Sequence, residues 1–238
     1  QKVIQLKIIY FCSLFLMISY LVKGQDTYKP QKLKNSNILI DGIIDNNEWD
    51  NAQKVILDYE VNPGNNITPK ENTTAFITYT DTHLYVGIYA YANPEEVRAS
   101  VRSRDDFGMI SDDFVLVRFD TYADGRNNYL LLSNAFGSQL DARAVNALTD
   151  EERYDVSFNL EYETKGTIVS DGYQVEFKIP FSSLPFPNGT NQKWNFNITR
   201  QAFRDGIPID IRSQPFDRTD PCQVCQTTDK LILSEITI

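Results

Sequence analysis

Apolar and polar residues alternate with a period of two along most of the chain after residue 37, and turn residues interrupt the alternation at short intervals. This pattern is typical of antiparallel sheet, in which successive side chains point to opposite faces. It predicts strands near residues 74–79, 84–92, 113–121, 128–134, 138–145, 156–163, 172–179 and 193–201. Valine, isoleucine, tyrosine, phenylalanine and threonine fill these runs, as expected for side chains that pack on a pleated surface.

Helical signals are short and few. One turn is predicted at 45–52, capped by Asp45, and two more short segments lie at 93–101 and 180–184. Many short strands without a helix of ordinary length predict an all-β fold, an antiparallel two-sheet β-sandwich of jelly-roll or immunoglobulin-like type. No internal repeat or interdomain linker divides the chain.

The first 24 residues have the pattern of a removable export signal. Lys2 and Lys7 precede an apolar run at 8–22, which ends at a lysine and a glycine. A membrane anchor would need roughly 18 or more apolar residues, so a signal peptide at 1–24 is the preferred interpretation. We therefore expect an exported protein, periplasmic, outer-membrane-associated or extracellular, with 25–36 as an N-terminal extension.

The charge of the chain limits its partners. The net charge is −9, and the signal segment carries three of the 23 basic residues and none of the 32 acidic ones. Without it, 20 basic residues face 32 acidic ones, a net charge of −12. Such a surface repels the phosphates of nucleic acids and anionic lipids, and it suits divalent cations or neutral polar ligands.

Two cysteines remain after the signal segment, Cys222 and Cys225, in a loop-like C-x-x-C stretch. This spacing is compatible with half of a zinc site, a redox pair or a local disulfide. The only histidine, His83, lies in a distant turn, and no βαβ pattern surrounds the cysteines. In an exported protein we expect the local disulfide.

An acidic block at 103–114 is the strongest candidate for metal binding. Close carboxylates repel each other unless cations intervene, and calcium prefers six to eight oxygen ligands. The predicted calcium ligands are Asp105, Asp106, Asp112 and Asp113, with Asp120 and Asp124 behind them. The spacing is not that of an EF-hand, and the alternative is a solvated acidic loop neutralised by Arg104, Arg118, Arg126 and Arg143.

The same region offers groups that could bind a polar ligand. The candidates that could hydrogen-bond hydroxyls are Arg104, Arg126, Asn134 and Gln139. The aromatic side chains that could form a stacking platform are Phe107, Tyr122, Phe136 and Tyr154. Each of these side chains could instead contribute to packing or to a solvated rim.

Five motifs in order resemble the family 9 carbohydrate-binding modules, which are DOMON-like domains. The resemblance begins at ILIDGIIDNNEWDNA (38–52) and continues through ITYTDTHLYVGIYAYA, the acidic block, DGYQVEFKIPFSSLPF and WNFNITR. It covers roughly 36–204, so the expected module is 37–204, followed at 205–238 by a closing loop and a last strand. The sequence is most similar to modules at the N-terminus of large exported bacterial proteins with a long β-rich, outer-membrane-type region.

The resemblance implies a jelly-roll sandwich that binds a polysaccharide or oligosaccharide, with calcium in some members. It also implies that the β-rich C-terminal region of the parent chain is a partner. Founding members clamp a sugar ring between two exposed tryptophans, because a ring's apolar face stacks on a broad π surface. Here both tryptophans, Trp49 and Trp194, are expected in the core, Trp194 because it alternates with Phe196 and Ile198 along a strand.

Catalysis has little support in the sequence. There is no nucleophile elbow, zinc-protease motif or phosphate-binding loop. The first hypothesis is therefore a non-catalytic carbohydrate-binding module linked to polysaccharide breakdown. The alternatives are a structural or protein-interaction sandwich that has lost sugar binding and, third, a glycoside hydrolase with two facing carboxylates.

Overall fold

The computed structural model describes residues 25–35, 37–147 and 149–237, so the predicted signal segment lies outside the described residues. Two β-sheets make up the fold, which confirms the predicted all-β sandwich. Helices within the described ranges are single short turns, and none of them is long and apolar enough to cross a membrane.

The smaller sheet has five strands, all antiparallel. They are β2 (Gln53–Ile56), β4 (Thr73–Tyr79), β5 (His83–Tyr91), β10 (Glu163–Val169) and β11 (Gly172–Pro180). Their order in space is β10-β11-β5-β4-β2. The turn around His83 joins β4 to β5, and β11 pairs with β5 along its whole length.

The larger sheet has nine strands. They are β1 (Thr27–Tyr28), β3 (Tyr59–Asn62), β6 (Phe114–Asp120), β7 (Asn127–Asn134), β8 (Gln139–Val145), β9 (Tyr154–Asp155), β12 (Gln192–Arg204), β13 (Ile207–Arg212) and β14 (Asp229–Leu233). The main order is β1-β14-β12-β6-β7-β8-β9. Because β12 is long, its first half pairs with β14 and its second half with β13, which also pairs with β3.

The two ends of the described chain meet at one edge of this sheet. Strand β1 is parallel to β14, with Thr27 opposite Lys230 and Tyr28 opposite Leu231. The segments 25–36 and 205–238, which the sequence analysis placed outside the module, thus supply β1, β13 and β14 to the same sheet.

The main core lies between the sheets and takes one face of each. Strand β12 contributes Trp194, Phe196 and Ile198, which are fully buried. The Trp194 ring packs edge-on against Phe119 and Phe181, at centroid distances of 5.7 and 6.0 Å. Trp194 is therefore a core residue, as its place in the alternation predicted.

The segment that contains Asp41 and Gly42 packs on the outer side of the smaller sheet and is held there by Glu176. This buried carboxylate accepts hydrogen bonds from the backbone N–H of Asp41 (3.0 Å) and Gly42 (2.8 Å) and from Trp49 Nε1 (3.0 Å). Gly42 has φ +90°, and a Cβ there would meet the Thr167 hydroxyl at 2.6 Å, so the turn requires glycine. Trp49 is 3% exposed, which confirms the core role predicted for it.

Most predicted elements are present, and one is wrong. The predicted helical turns correspond to a helix at Asn46–Trp49, capped by Asp45, and to 3-10 turns at Pro94–Glu96 and Phe181–Ser183. The strand predicted at 156–163 is instead a loop between β9 and β10. Hydrogen bonds to side chains hold this loop, and in the described part of the chain it has no backbone pairing with a neighbouring strand. Leu160 N donates to Asp141 Oδ2, and Arg104 Nη2 donates to Leu160 O, both at 2.5 Å.

Candidate functional site

The outer face of the larger sheet, the face turned away from the main core, is also apolar. Strand β6 is buried at all seven positions, because its alternate residues face the main core and a second cluster. The second cluster draws its buried side chains from β6, β7, β8 and the loops over them: Met109, Phe114, Leu116, Leu130, Leu132, Leu140, Ala142, Ala144 and Val224. An apolar outer face of this kind needs a cover or a ligand.

A groove of about 500 Å³ lies on this face. Leucines of β6, β7 and β8 form its floor, and a rim rises from two segments. One is the 3-10 turn at Phe107–Ser111, which brings Phe107 and Ile110 to the rim, and the other brings Tyr154 and Val156 from the opposite edge. Ligand pockets for small molecules are typically about 300–1,000 Å³ and mostly apolar, with few polar groups, so this groove has suitable dimensions.

The polar side of the groove lies toward β12. In the register of the sheet, Arg118 on β6 lies between Asn197 on β12 and Leu130 on β7. Gln201 of β12 also lines the groove, and its Nε2 donates to the Ile110 carbonyl at 2.9 Å, which ties the rim to the sheet. The groove therefore has an apolar wall on β7 and β8 and hydrogen-bonding groups on the other side.

Arg118 is the charged residue of the groove floor. Arg118 is only 8% exposed, and its Nε makes no hydrogen bond. Burial and then the charge of nearby Arg212 lower the pKa of Arg118 to about 10, against the smaller opposing effects of Tyr154 and Asp210. Burial is the largest of these effects, so the guanidinium is strongly desolvated, and Asp210 and Tyr154 offset the loss of hydration only in part.

Three predicted ligand-binding residues are instead engaged within the fold. Arg104 donates to Gln139 Oε1 (2.8 Å) and to Asp141 Oδ1 (2.6 Å), and Gln139 Nε2 donates to the Tyr162 carbonyl (2.9 Å). Asn134 is fully buried, with its Nδ2 on the Ser100 carbonyl at 2.7 Å. These bonds anchor loops beside β8 and leave the three side chains little capacity for a ligand.

The predicted aromatic platforms divide into two groups. Phe107 and Tyr154 line the groove from opposite sides and are exposed. Tyr122 and Phe136 are also exposed, but they lie at the β6–β7 and β7–β8 turns and do not line the groove. Arg126, in the β6–β7 turn, is likewise outside it, with a distant ion pair to Asp124 at 3.9 Å.

The inner two of the predicted calcium ligands are held by arginines. Asp112 receives Arg102 Nε and Nη2 at 2.7 and 2.9 Å; although burial favours a higher pKa, these bonds hold the pKa of Asp112 below its ordinary value. Asp113 receives Arg204 Nη1 at 2.9 Å and the Phe203 N–H at 2.9 Å, and burial raises its pKa against these bonds.

Of the other two, Asp106 shares Arg102 with Asp112, and its Oδ2 lies 3.5 Å from Arg102 Nη1. Asp105 lies 3.5 Å from Arg104, and Asp106 caps the 3-10 turn by accepting the Gly108 N–H at 2.8 Å. Across residues 25–35, 37–147 and 149–237, no group of three or more acidic, histidine or cysteine side chains could hold a metal ion. In this acidic block, arginines supply positive charge beside Asp106, Asp112 and Asp113.

The C-x-x-C stretch forms a tight loop beside the β6–β7 turn. The sulfurs of Cys222 and Cys225 are bonded, with Cα atoms 5.4 Å apart. Cys225 lies against Gly125, and Val224 packs into the cluster under the groove. The disulfide loop thus covers one end of the outer apolar face.

Among the rim and polar residues of the groove, those not predicted to bind a ligand are Ile110, Arg118, Val156 and Gln201. One signal for them was available in the sequence. The run FVLVRFD at 114–120 is apolar at nearly every position, so both faces of β6 must be covered, and the arginine within it interrupts an otherwise buried strand. The other three lie in loops or on β12, where the sequence does not indicate which strands are neighbours.

The fold and the groove together define a two-sheet β-sandwich with a small-molecule-sized site on its outer sheet face. Solved structures of carbohydrate-binding modules share this architecture. No protein-family profile matches the sequence, and no curated protein is significantly similar to it.

Among the solved structures, a candidate carbohydrate-binding protein from Bacteroides uniformis is similar, with a TM-score of 0.65 and 12% identity over 88% of this chain and 99% of that one. A family 9 carbohydrate-binding module from Caldicellulosiruptor kristjanssonii, in complex with cellotriose, has a TM-score of 0.58 and 18% identity, over 90% and 95% of the two chains. A family 9 module from the same organism with glucose has a TM-score of 0.55 and 21% identity, over 88% and 97%. The chain thus has the fold of the family 9 modules, as its motifs predicted.

Proposed function

We propose that this domain is a non-catalytic module that binds a saccharide in the groove on the outer face of its larger sheet. The observation that carries the proposal is the groove itself, with apolar floor, aromatic rim and a polar side, in a fold shared with modules solved in complex with cellotriose and glucose. Its volume of about 500 Å³ suits one or a few sugar units.

The two sides of the groove match the two kinds of surface on a sugar ring. The C–H face of a pyranose packs on aromatic and aliphatic side chains, which Phe107, Tyr154 and the leucine floor supply. Ring hydroxyls need hydrogen-bonding partners, which Gln201 and Arg118 supply. Both tryptophans are in the core, so these two rings take the place of a tryptophan clamp.

Export and attachment to a larger parent protein remain part of the proposal. The pattern of residues 1–24 and the bonded pair Cys222–Cys225 support an oxidising compartment outside the cytosol. In such a setting the module would hold its parent protein on a polysaccharide that is being broken down. Calcium binding by the acidic block stays a prediction from the sequence, and this proposal does not depend on it.

The test is retention on polysaccharide affinity gels, followed by calorimetric titration with the glycans that retain the protein. Tyr154→Ala and Phe107→Ala each remove one side of the rim, and each should weaken binding roughly tenfold, equivalent to about 1.4 kcal/mol. Tyr122→Ala and Phe136→Ala are matched controls, because they remove exposed rings outside the groove. Both controls should bind as the wild type does.

A second candidate function is favoured by the apolar character of the rim. Phe107, Ile110 and Val156 are all exposed, and a protein partner could cover them. Failure to bind any polysaccharide would refute the saccharide proposal and leave this interaction role. Equal loss in the Tyr154 and Tyr122 variants would refute the assignment of the groove as the site.

A further inference from the structure

We propose that the saccharide bound in this groove carries a carboxylate, as a hexuronic acid residue does, and that Arg118 binds that carboxylate. The inference rests on the proposed function and names the chemical class of its ligand. It depends on how Arg118 differs from every other buried arginine in the part of the chain that the structure describes.

The other buried or largely buried arginines each have a carboxylate within 4 Å. Arg102 pairs with Asp112 at 2.7 Å, and Arg212 with Asp210 at 3.4 Å. Arg200 and Arg204 share Glu71 at 2.6 and 2.7 Å. Arg118, although 8% exposed, has no such partner among the described residues. Tyr154 is its hydrogen-bonding neighbour, and its Nε is unsatisfied, as are the Nε atoms of Arg200 and Arg212.

A guanidinium without a carboxylate in contact is costly at this position. Removing a charge from water is unfavourable unless an opposite charge compensates it, and a second guanidinium nearby adds repulsion. Arg118 has such a neighbour in Arg212, whose own charge is partly balanced by Asp210. The side chain is nevertheless kept in the groove floor, between Asn197 and the apolar Leu130.

A bound carboxylate would remove both costs. The planar fork of a guanidinium matches the two oxygens of a carboxylate and can donate to both. The leucine floor lowers the local dielectric, so the attraction is stronger there than in water. The chain has a net charge of −9, which repels anions at long range. A positive side chain in an apolar groove attracts an anion at short range in spite of that repulsion.

The ligand pair that tests this is D-glucose and D-glucuronate, which differ only in the group on C5. Titration calorimetry on the wild type should show glucuronate binding about ten- to a hundredfold more tightly, the usual range for a charge-assisted hydrogen bond. Arg118→Gln should reduce the preference to less than about threefold and change glucose affinity little, and Arg118→Lys should restore part of it. Glucose 6-sulfate, a third ligand, separates carboxylate from other anions.

The matched control is Arg126→Gln, which makes the same charge change at an exposed position outside the groove. It should leave both affinities and the preference unchanged. Melting temperature checks the fold, and Arg118→Gln should melt at or above the wild type, because it removes an uncompensated buried charge.

The wild-type comparison decides the inference even if a variant fails to fold. Glucose bound as tightly as glucuronate overturns the carboxylate assignment and leaves the saccharide proposal intact. Glucose 6-sulfate bound more tightly than glucuronate overturns it in favour of a sulfated sugar. Binding of none of the three, together with no retention on any polysaccharide gel, overturns both proposals.

Discussion

Glu71 offers a quantitative test of how charge holds the two sheets together. It accepts from Arg200 Nη2 at 2.6 Å and from Arg204 Nε and Nη2 at 2.7 and 2.8 Å. Arg200 belongs to β12 of the larger sheet and is fully buried, and its Nη1 also donates to Thr73 Oγ1 and the Tyr91 carbonyl of the smaller sheet. Neutralising Glu71 therefore leaves the buried charge of Arg200 without its carboxylate contact, and Asp113 compensates that charge only from a greater distance.

The expected cost of Glu71→Gln follows from that environment. Removing one partner of a fully buried ion pair typically costs about 3–5 kcal/mol. The Glu71 side chain is 25% exposed, and Arg204 keeps Asp113, so water and the second carboxylate reduce the penalty. We expect a loss of about 2–3 kcal/mol in the free energy of unfolding.

Urea denaturation measures this loss as a lower midpoint with an unchanged slope. The control is Glu163→Gln, because Glu163 forms a surface ion pair with Lys178 at 3.7 Å. Exposed pairs contribute roughly 0–1 kcal/mol, so this variant should unfold close to the wild type. If Glu71→Gln is no less stable than Glu163→Gln, the buried network does not join the sheets as argued.

Three further predictions concern Glu176, the disulfide and Trp194. Burial raises the pKa of Glu176 from 4.5 to about 7, so the folded state holds this proton to higher pH than the unfolded chain. The contribution of Glu176 to stability should be full below pH 4.5 and fall by up to about 3 kcal/mol as pH rises through 7. Thermal melts of Glu176→Gln should show a smaller change than the wild type, the remainder coming from Asp229, whose pKa burial also raises to about 7. The Cys222–Cys225 disulfide closes only a short loop. Its reduction should therefore lower the free energy of unfolding by only about 2 kcal/mol or less, measured in urea with and without reductant. Trp194→Ala should cost about 3–5 kcal/mol, because it empties a fully buried site among aromatic rings, and an unchanged urea midpoint would contradict that packing.

Alternation along the chain was sufficient to predict the central strands. Strands such as β5 and β11 carry regular apolar positions, and the structure places them close to the predicted bounds. The pattern was not sufficient at the edges. Strand β10 contains two charged residues and a glycine, and β13 contains Pro208, so neither resembles a core strand although both pair in the sheets.

The candidate site was predictable only in part, because it depends on which strands are neighbours. Phe107 and Tyr154 were predicted as platforms, and they do line the groove. The acidic block suggested a cation site, since the sequence does not show that Arg102 and Arg204 reach Asp112 and Asp113 from elsewhere. An arginine ten or ninety residues away is not distinguishable from any other until the fold brings it close.

The parallel pairing of β1 with β14 has a mechanical consequence. Tension applied to the chain before Thr27 and after Leu233 pulls these two strands in opposite directions along their common axis. The backbone hydrogen bonds between them, including Lys230 N–H to the Asp26 carbonyl at 2.8 Å, would then be loaded together in shear and not broken one at a time. Force applied between these two points of the module would be resisted through this one edge.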